Sequence, residues 1–185
     1  MFRAFPPLIR GNPDILILGT FPSPLSRERG EYYGNPQNKF WKIIFDVFEV
    51  EFNDPDYEVK KEILFQNKIA VWDVIESCEI IGALDKNIRN PVYNTALPGF
   101  IKDNNITVLL FNGTKAFEFY KRGIEDMNGE RTVSSRPLRA AGQNGMNYTD
   151  VRSIEKRIMP STSPANAQMN YAGKLSAWTE GLRRA

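Results

Sequence analysis

Residues 14–41 read DILILGTFPSPLSRERGEYYGNPQNKFW, and the fold follows from how that stretch divides. Residues 14–19 are a continuous Ile/Leu run, the pattern of a strand covered on both faces, and Asn12-Pro13 marks a turn before it. Phe40, Trp41, Ile43, Ile44, Val47 and Phe48 recur at helical spacing and give one apolar stripe. Between the two, residues 19–38 form a polar connection much longer than a strand-to-helix join requires. In open α/β sheets, ligands bind at such strand ends.

Working outward, the alternation continues. Asn53-Asp54-Pro55-Asp56 breaks the chain, and residues 57–66 predict a helix with Val59, Ile63 and Leu64 inward. A second strand follows at residues 69–74 (IAVWDV). Residues 76–98 read as irregular, punctuated by Gly82, Pro91 and Pro98, with one helical turn at 84–88. A brief helix at 97–103, a third strand at 106–111 (ITVLLF) and a helix at 115–121 come next. Residues 123–153, rich in Gly, Asn, Ser and Arg, predict a long, partly mobile excursion. A fourth strand at 157–160 and an amphipathic helix at 171–183, with Leu175, Trp178 and Leu182 inward, close the chain. Strands alternating with helices imply parallel pairing with both faces covered. The expected fold is α/β, a three-layer α/β/α sandwich around a roughly four-stranded parallel sheet, in a single domain over residues 1–185.

Composition narrows the chemistry. With 42% hydrophobic and 25% charged residues over 185 positions, the chain can bury a core without covalent staples. Its one cysteine, Cys78, excludes an intramolecular disulfide, and the apolar runs are too short to span a bilayer, so a cytoplasmic protein is expected. Histidine is absent, which removes Ser-His-Asp and Cys-His nucleophiles, histidine bases and the usual zinc sites. No metal and no cofactor are expected. Acidic residues dominate 46–62, whereas Arg131, Arg136, Arg139, Arg152, Lys156 and Arg157 cluster later. That polarity suits a protein with one anion-facing side, and equally a scatter of solvated charge.

If the strands are parallel, three polar loops meet at one sheet edge: residues 19–38, 112–114 and 161–166. In the first, Asn35 and Pro36 have the residue types of an N-cap and first helical position, which predicts a helix starting at Asn35 with Asn38 in its first turn. Tyr32 and Tyr33 either stack on a base or anchor the loop. Asn112, followed by Gly113, is a base-edge reader or a turn residue with equal claim. Ser161, Thr162, Ser163 and Pro164 can hold a phosphate or cap the next helix.

Five ordered blocks, ILILGTFPS, YYGNPQNKFW, IAVWDVIESCE with GALDKNIRNP, LLFNGTKA and MPSTSPANA, resemble the uracil-DNA glycosylase superfamily, closest to its hypoxanthine-DNA glycosylase branch, which is related to the mismatch-specific glycosylases. The resemblance runs over about residues 15–170. It implies the same sandwich and an enzyme that flips a damaged base from double-stranded DNA, hydrolyses its N-glycosidic bond and leaves an abasic site; a monomer is expected, as suits a protein that scans DNA. By the same resemblance Asn38 and Asn112 are the catalytic residues. Thr20, Phe21, Tyr32, Tyr33, Phe40 and the Ser161, Thr162, Ser163, Pro164, Ala165, Asn166 loop lie against the substrate. Thr20 stands where the wider superfamily often carries Asp or Asn, and Ser161 or Thr162 where it often carries His; the resemblance to the branch accommodates both by giving the water-positioning role to Asn38.

Such a site asks for aimed donors and a positioned water rather than a strong base, because cleavage passes through an oxocarbenium-like sugar. Flipping costs a few kcal/mol, which Tyr33 or Phe40 can offset by stacking. Hypoxanthine is the expected base, with uracil second. Lys115 and Lys121 raise a Schiff-base lyase, but neither is marked by its setting, and a monofunctional enzyme is expected. Two other classes fit the residues: a nucleic-acid-binding protein of the same fold without chemistry, and a hydrolase of free nucleosides.

Overall fold

The computed structural model describes residues 1–82, 84–125 and 154–183. In chain order these form β1 (Phe2–Arg3), β2 (Ile15–Gly19), α1 (Pro24–Arg29), α2 (Phe40–Val47), α3 (Tyr57–Gln66), β3 (Ile69–Asp73) and β4 (Ile75–Glu79). A 3-10 turn (Asp85–Asn87), β5 (Arg89–Tyr93), α4 (Leu97–Asp103), β6 (Val108–Asn112), α5 (Thr114–Tyr120) and a π turn (Lys121–Glu125) follow. β7 (Glu155–Met159) and α6 (Tyr171–Arg183) complete the order.

The main sheet has the order β3-β2-β6-β7 with every neighbouring pair parallel. Successive side chains of a strand point to opposite faces, and the two faces hold two cores. Ile15, Ile17, Val71 and Leu110 pack with Phe40, Ile43 and Ile44 of α2, Leu64 of α3 and Trp178 of α6. Leu16, Leu18, Leu109 and Phe111 pack with Ile101 of α4 and Ala116 and Tyr120 of α5. This is the expected three-layer α/β/α sandwich. Val59 departs from expectation and is exposed, leaving Leu64 as the buried contact of α3.

Three local expectations are corrected. Residues 76–98 are not irregular: β4 and β5 pair antiparallel and, with β1, make a second sheet in the order β1-β4-β5. Pro91 misled because it sits in an edge strand, where a missing N–H is tolerated, and the β4–β5 register is shifted twice. The connection at 19–38 contains α1, begun by the Ser23 side chain and Pro24 and ended at Gly30 with φ +68°. The next helix starts at Phe40, not at Asn35. Asn35 instead folds residues 35–38 into a turn, its carbonyl taking the Asn38 N–H at 2.8 Å and its Oδ1 the Gln37 N–H at 2.9 Å. The expected excursion lies, from residue 126 on, outside the described residues, as do Arg131, Arg136, Arg139 and Arg152. Among the described residues no helix is long and apolar enough to cross a membrane.

Candidate active site

Parallel strands bring their C-terminal ends to one edge, and a cavity of about 740 Å³ opens there. Its wall includes Gly19, Asp73 and Asn112, the last residues of β2, β3 and β6, together with Ser161 beyond the end of β7. Four strand ends meet, not three. The wall brings together Thr20, Phe21, Tyr32, Tyr33, Asn38, Asn112, Ser161, Thr162, Ser163, Ala165 and Asn166, whereas Phe40 and Pro164 lie outside it.

Asn38 lies just before α2, and its Oδ1 accepts the Phe40 N–H at 2.9 Å. That bond fixes the amide's rotation and leaves a second lone pair on the same oxygen. Asn112 and Thr162 form a reciprocal pair: the Asn112 Nδ2 donates to the Thr162 hydroxyl and the Thr162 N–H donates to Asn112 Oδ1, both at 2.9 Å. Thr162 is wholly buried, and its carbonyl accepts the Lys39 N–H at 3.0 Å. The base-reading expectation for Asn112 therefore meets an amide already joined to the opposite loop. Gly113, at φ +99°, makes this approach possible, since a Cβ there would meet the Ser161 Cβ at 2.9 Å.

The loop at 161–166 is braced from within and below. Asn166 Nδ2 donates to the Ser161 carbonyl at 3.1 Å, and the Ser163 hydroxyl accepts the Ala165 N–H at 3.3 Å. Lys174 of α6, a buried lysine, donates to the Asn166 carbonyl at 2.8 Å. Burial and the nearby Lys39 charge lower its pKa. Pro164 is exposed at the tip.

The aromatic residues divide. Tyr32 is buried, with its hydroxyl donating to the Phe5 and Pro6 carbonyls at 3.3 and 3.2 Å, so it anchors the loop. Phe40 is buried beneath Tyr33, the rings stacked at 3.8 Å between centroids, which withdraws it from the cavity. Tyr33 adopts φ +54°, an uncommon left-handed backbone that turns its ring onto Phe40. Phe21 packs beside Ile75 and Cys78, with the Arg27 guanidinium over its ring at 5.6 Å.

Sequence reasoning missed two acids. Asp73, the last residue of β3, reads in sequence as one more strand position, and it is 4% exposed in the cavity wall. Its Oδ2 and the Tyr33 hydroxyl are buried without hydrogen-bond partners. Burial first, and the Asp85 charge second, push the Asp73 carboxyl up to about 8. Burial likewise raises Tyr33; the Asn112 amide is near enough to oppose this, yet the pair misses hydrogen-bonding geometry. Asp85 accepts the Thr20 hydroxyl at 2.9 Å, and burial raises its pKa while Thr20 and Lys115 oppose. The Asn94 amide donates to the Asp73 carbonyl at 3.0 Å and fixes the strand end. A legible signal was present: a lone carboxylate closing an apolar strand whose C-terminal end must reach the common edge.

The geometry supplies amide and hydroxyl groups, a loop capable of touching phosphate, and a carboxyl held neutral at ordinary pH. That set suits hydrolysis of a bond whose leaving group accepts hydrogen bonds. A family model described as the uracil DNA glycosylase superfamily matches residues 6–183. Two curated relatives, each named hypoxanthine DNA glycosylase, are similar over 98% of this chain and 98% of their own length. The one from Methanosarcina barkeri is 30% identical and that from Methanosarcina acetivorans 31%. A solution NMR structure from Methanosarcina acetivorans, described provisionally as a uracil DNA glycosylase, superposes with a TM-score of 0.70 at 28% identity, covering 98% of this chain and 96% of that one.

Proposed function

This chain belongs to the uracil DNA glycosylase superfamily, and from that premise we propose a monofunctional DNA repair glycosylase that hydrolyses the N-glycosidic bond of a flipped deaminated base. The base is hypoxanthine first and uracil second, the substrate is double-stranded DNA, and the enzyme acts as a monomer. The observation that carries the reading is the cavity of about 740 Å³ at the strand ends, with Asn38 in its wall. It has room for an extruded nucleotide, and the base choice follows the full-length likeness to the two Methanosarcina relatives.

Asn38 orients the attacking water. Its oxygen keeps one lone pair after accepting the Phe40 N–H, so a water held there has a fixed direction toward the sugar. Asn112 and the loop at 161–166 act as one unit, because the amide pair to Thr162 ties the strand end to the loop. Ser161, Ser163, Ala165 and Asn166 meet the DNA backbone beside the cavity, and exposed Pro164 leads toward the duplex. Tyr33 and Phe21 offer apolar surface to the flipped base, while Thr20, bonded to Asp85, shapes the wall.

The test is excision from a duplex containing deoxyinosine or deoxyuridine, read by alkaline cleavage at the abasic site. Release of hypoxanthine faster than uracil is expected, and Asn38→Ala lowers the rate about 100-fold, the scale for one lost positioning group. No product from either duplex would sink the proposal. Equal activity on free inosine would sink the assignment to DNA.

A further inference from the structure

Among the described residues, two side-chain polar atoms stand out because they are buried without a partner, and both belong to one corner of the cavity. Asp73 Oδ2 and the Tyr33 hydroxyl are the unsatisfied pair, and native proteins rarely tolerate such groups without a use. The corner is built tightly. A Cβ at Gly19 would lie 2.4 Å from Asp73 Oδ1 and 3.3 Å from the Tyr33 hydroxyl, so only glycine lets β2 pass beside them. Val74 N–H to Gly19 and Ile75 N–H to Thr20 bonds, with the Asn94 amide on the Asp73 carbonyl, hold the strand end where it is. The strand end thus holds the carboxyl in place, with Asp73 in the cavity wall and its Oδ2 buried without a partner.

We infer that Asp73 is a catalytic acid of this enzyme: its carboxyl proton passes to the departing base as the glycosidic bond breaks. The inference rests on the glycosylase reading. In the step, the Asp73 O–H gives its proton to a ring nitrogen of the purine while the C1′–N9 bond breaks and its electron pair goes to the base. Water adds its oxygen to C1′, its surplus proton leaves to solvent, and Asp73 regains a proton from solvent. One water is consumed, and one free base and one abasic sugar result.

The surroundings favour the protonated form. Asp85 on the 3-10 turn is an acid and repels a second negative charge, with Lys115 acting on Asp85. Tyr33, Tyr32 and Tyr57 of α3 are the other titratable groups that feel the Asp73 charge, and each is raised by its own burial. A carboxyl pushed up to about 8 is a donor at neutral pH. It stops being one as pH rises through that value, so the excision rate falls on the alkaline side.

The experiment measures single-turnover excision from a deoxyinosine duplex between pH 6 and 9.5, for the parent and Asp73→Asn, with affinity for a 2′-fluoro deoxyinosine duplex measured in parallel. The parental rate is expected to fall about tenfold per pH unit above about 8. Asp73→Asn keeps the shape but has no transferable proton; it loses about 100-fold in rate, its remaining rate is flat with pH, and its affinity changes less than about threefold. A variant with an unchanged alkaline limb, a rate within about threefold of the parent, or a loss confined to affinity overturns the inference. Should the variant not fold, a parental profile flat up to pH 9.5 overturns it alone. A parent that excises no hypoxanthine at any pH overturns the glycosylase reading itself, a result distinct from active enzyme with a flat profile.

Discussion

Two corners of the same cavity treat their polar groups in opposite ways. At Asn112 and Thr162 the amide and the opposing backbone and hydroxyl are joined by two bonds of 2.9 Å, and the loop behind them is held by Lys174. At Asp73 and Tyr33 a carboxyl oxygen and a phenol hydroxyl are buried with nothing to bond. The first corner stores stability and fixes the edge of the site. The second forgoes stability and keeps two groups available, which is how a site trades structure for chemistry. Residue type alone does not separate them, since Asn and Asp at strand ends look equivalent in a sequence.

Substitutions can break this contrast. Gly19→Ala has the largest expected effect: its Cβ, 2.4 Å from Asp73 Oδ1, displaces the acid and overfills the corner. A loss of about 100-fold in excision is expected for a misplaced group, with about 2 kcal/mol in stability from overpacking. Excision rates and urea unfolding measure both, and a fully active Gly19→Ala would show that the corner is not rigid. Asn112→Ala comes next. It strips the buried Thr162 N–H of its acceptor and costs about 2 kcal/mol in unfolding free energy. Tyr33→Phe should have the smallest effect on stability, within about 0.5 kcal/mol, because it deletes a hydroxyl that bonds to nothing. If Tyr33→Phe proved as destabilising as Asn112→Ala, the two corners would not differ in kind.

The layers of the fold were legible because they rest on repeated signals. Ile15 to Leu18 and Val108 to Phe111 are uninterrupted apolar runs, and the stripe around Trp178 matches a helix seen at Tyr171–Arg183. The second sheet was not legible, because Pro91 and two register shifts erase strand alternation where only an edge is being built. At the site, the convergence of loops could be read, and so could the place of Asn38 in the wall they form. What an amide bonds to could not. Asn35 looked like a helix cap, yet its partners are the N–H groups of its own turn, and the cap-like bond to α2 comes from Asn38. Asp73 escaped notice because an acid in an apolar run is unremarkable until burial and the lack of a partner give it meaning.

Tyr33 carries the contrast down to the backbone. Its left-handed φ of +54° costs a non-glycine residue about 1 kcal/mol, and its hydroxyl recovers none of that through bonding. The ring repays that cost: it stacks on Phe40 at 3.8 Å between centroids and packs against the core, and truncating a packed aromatic costs about 3 kcal/mol. A saturation library at this position would keep an aromatic ring under selection for heat resistance, and would separate Tyr from Phe only under selection for survival of base deamination.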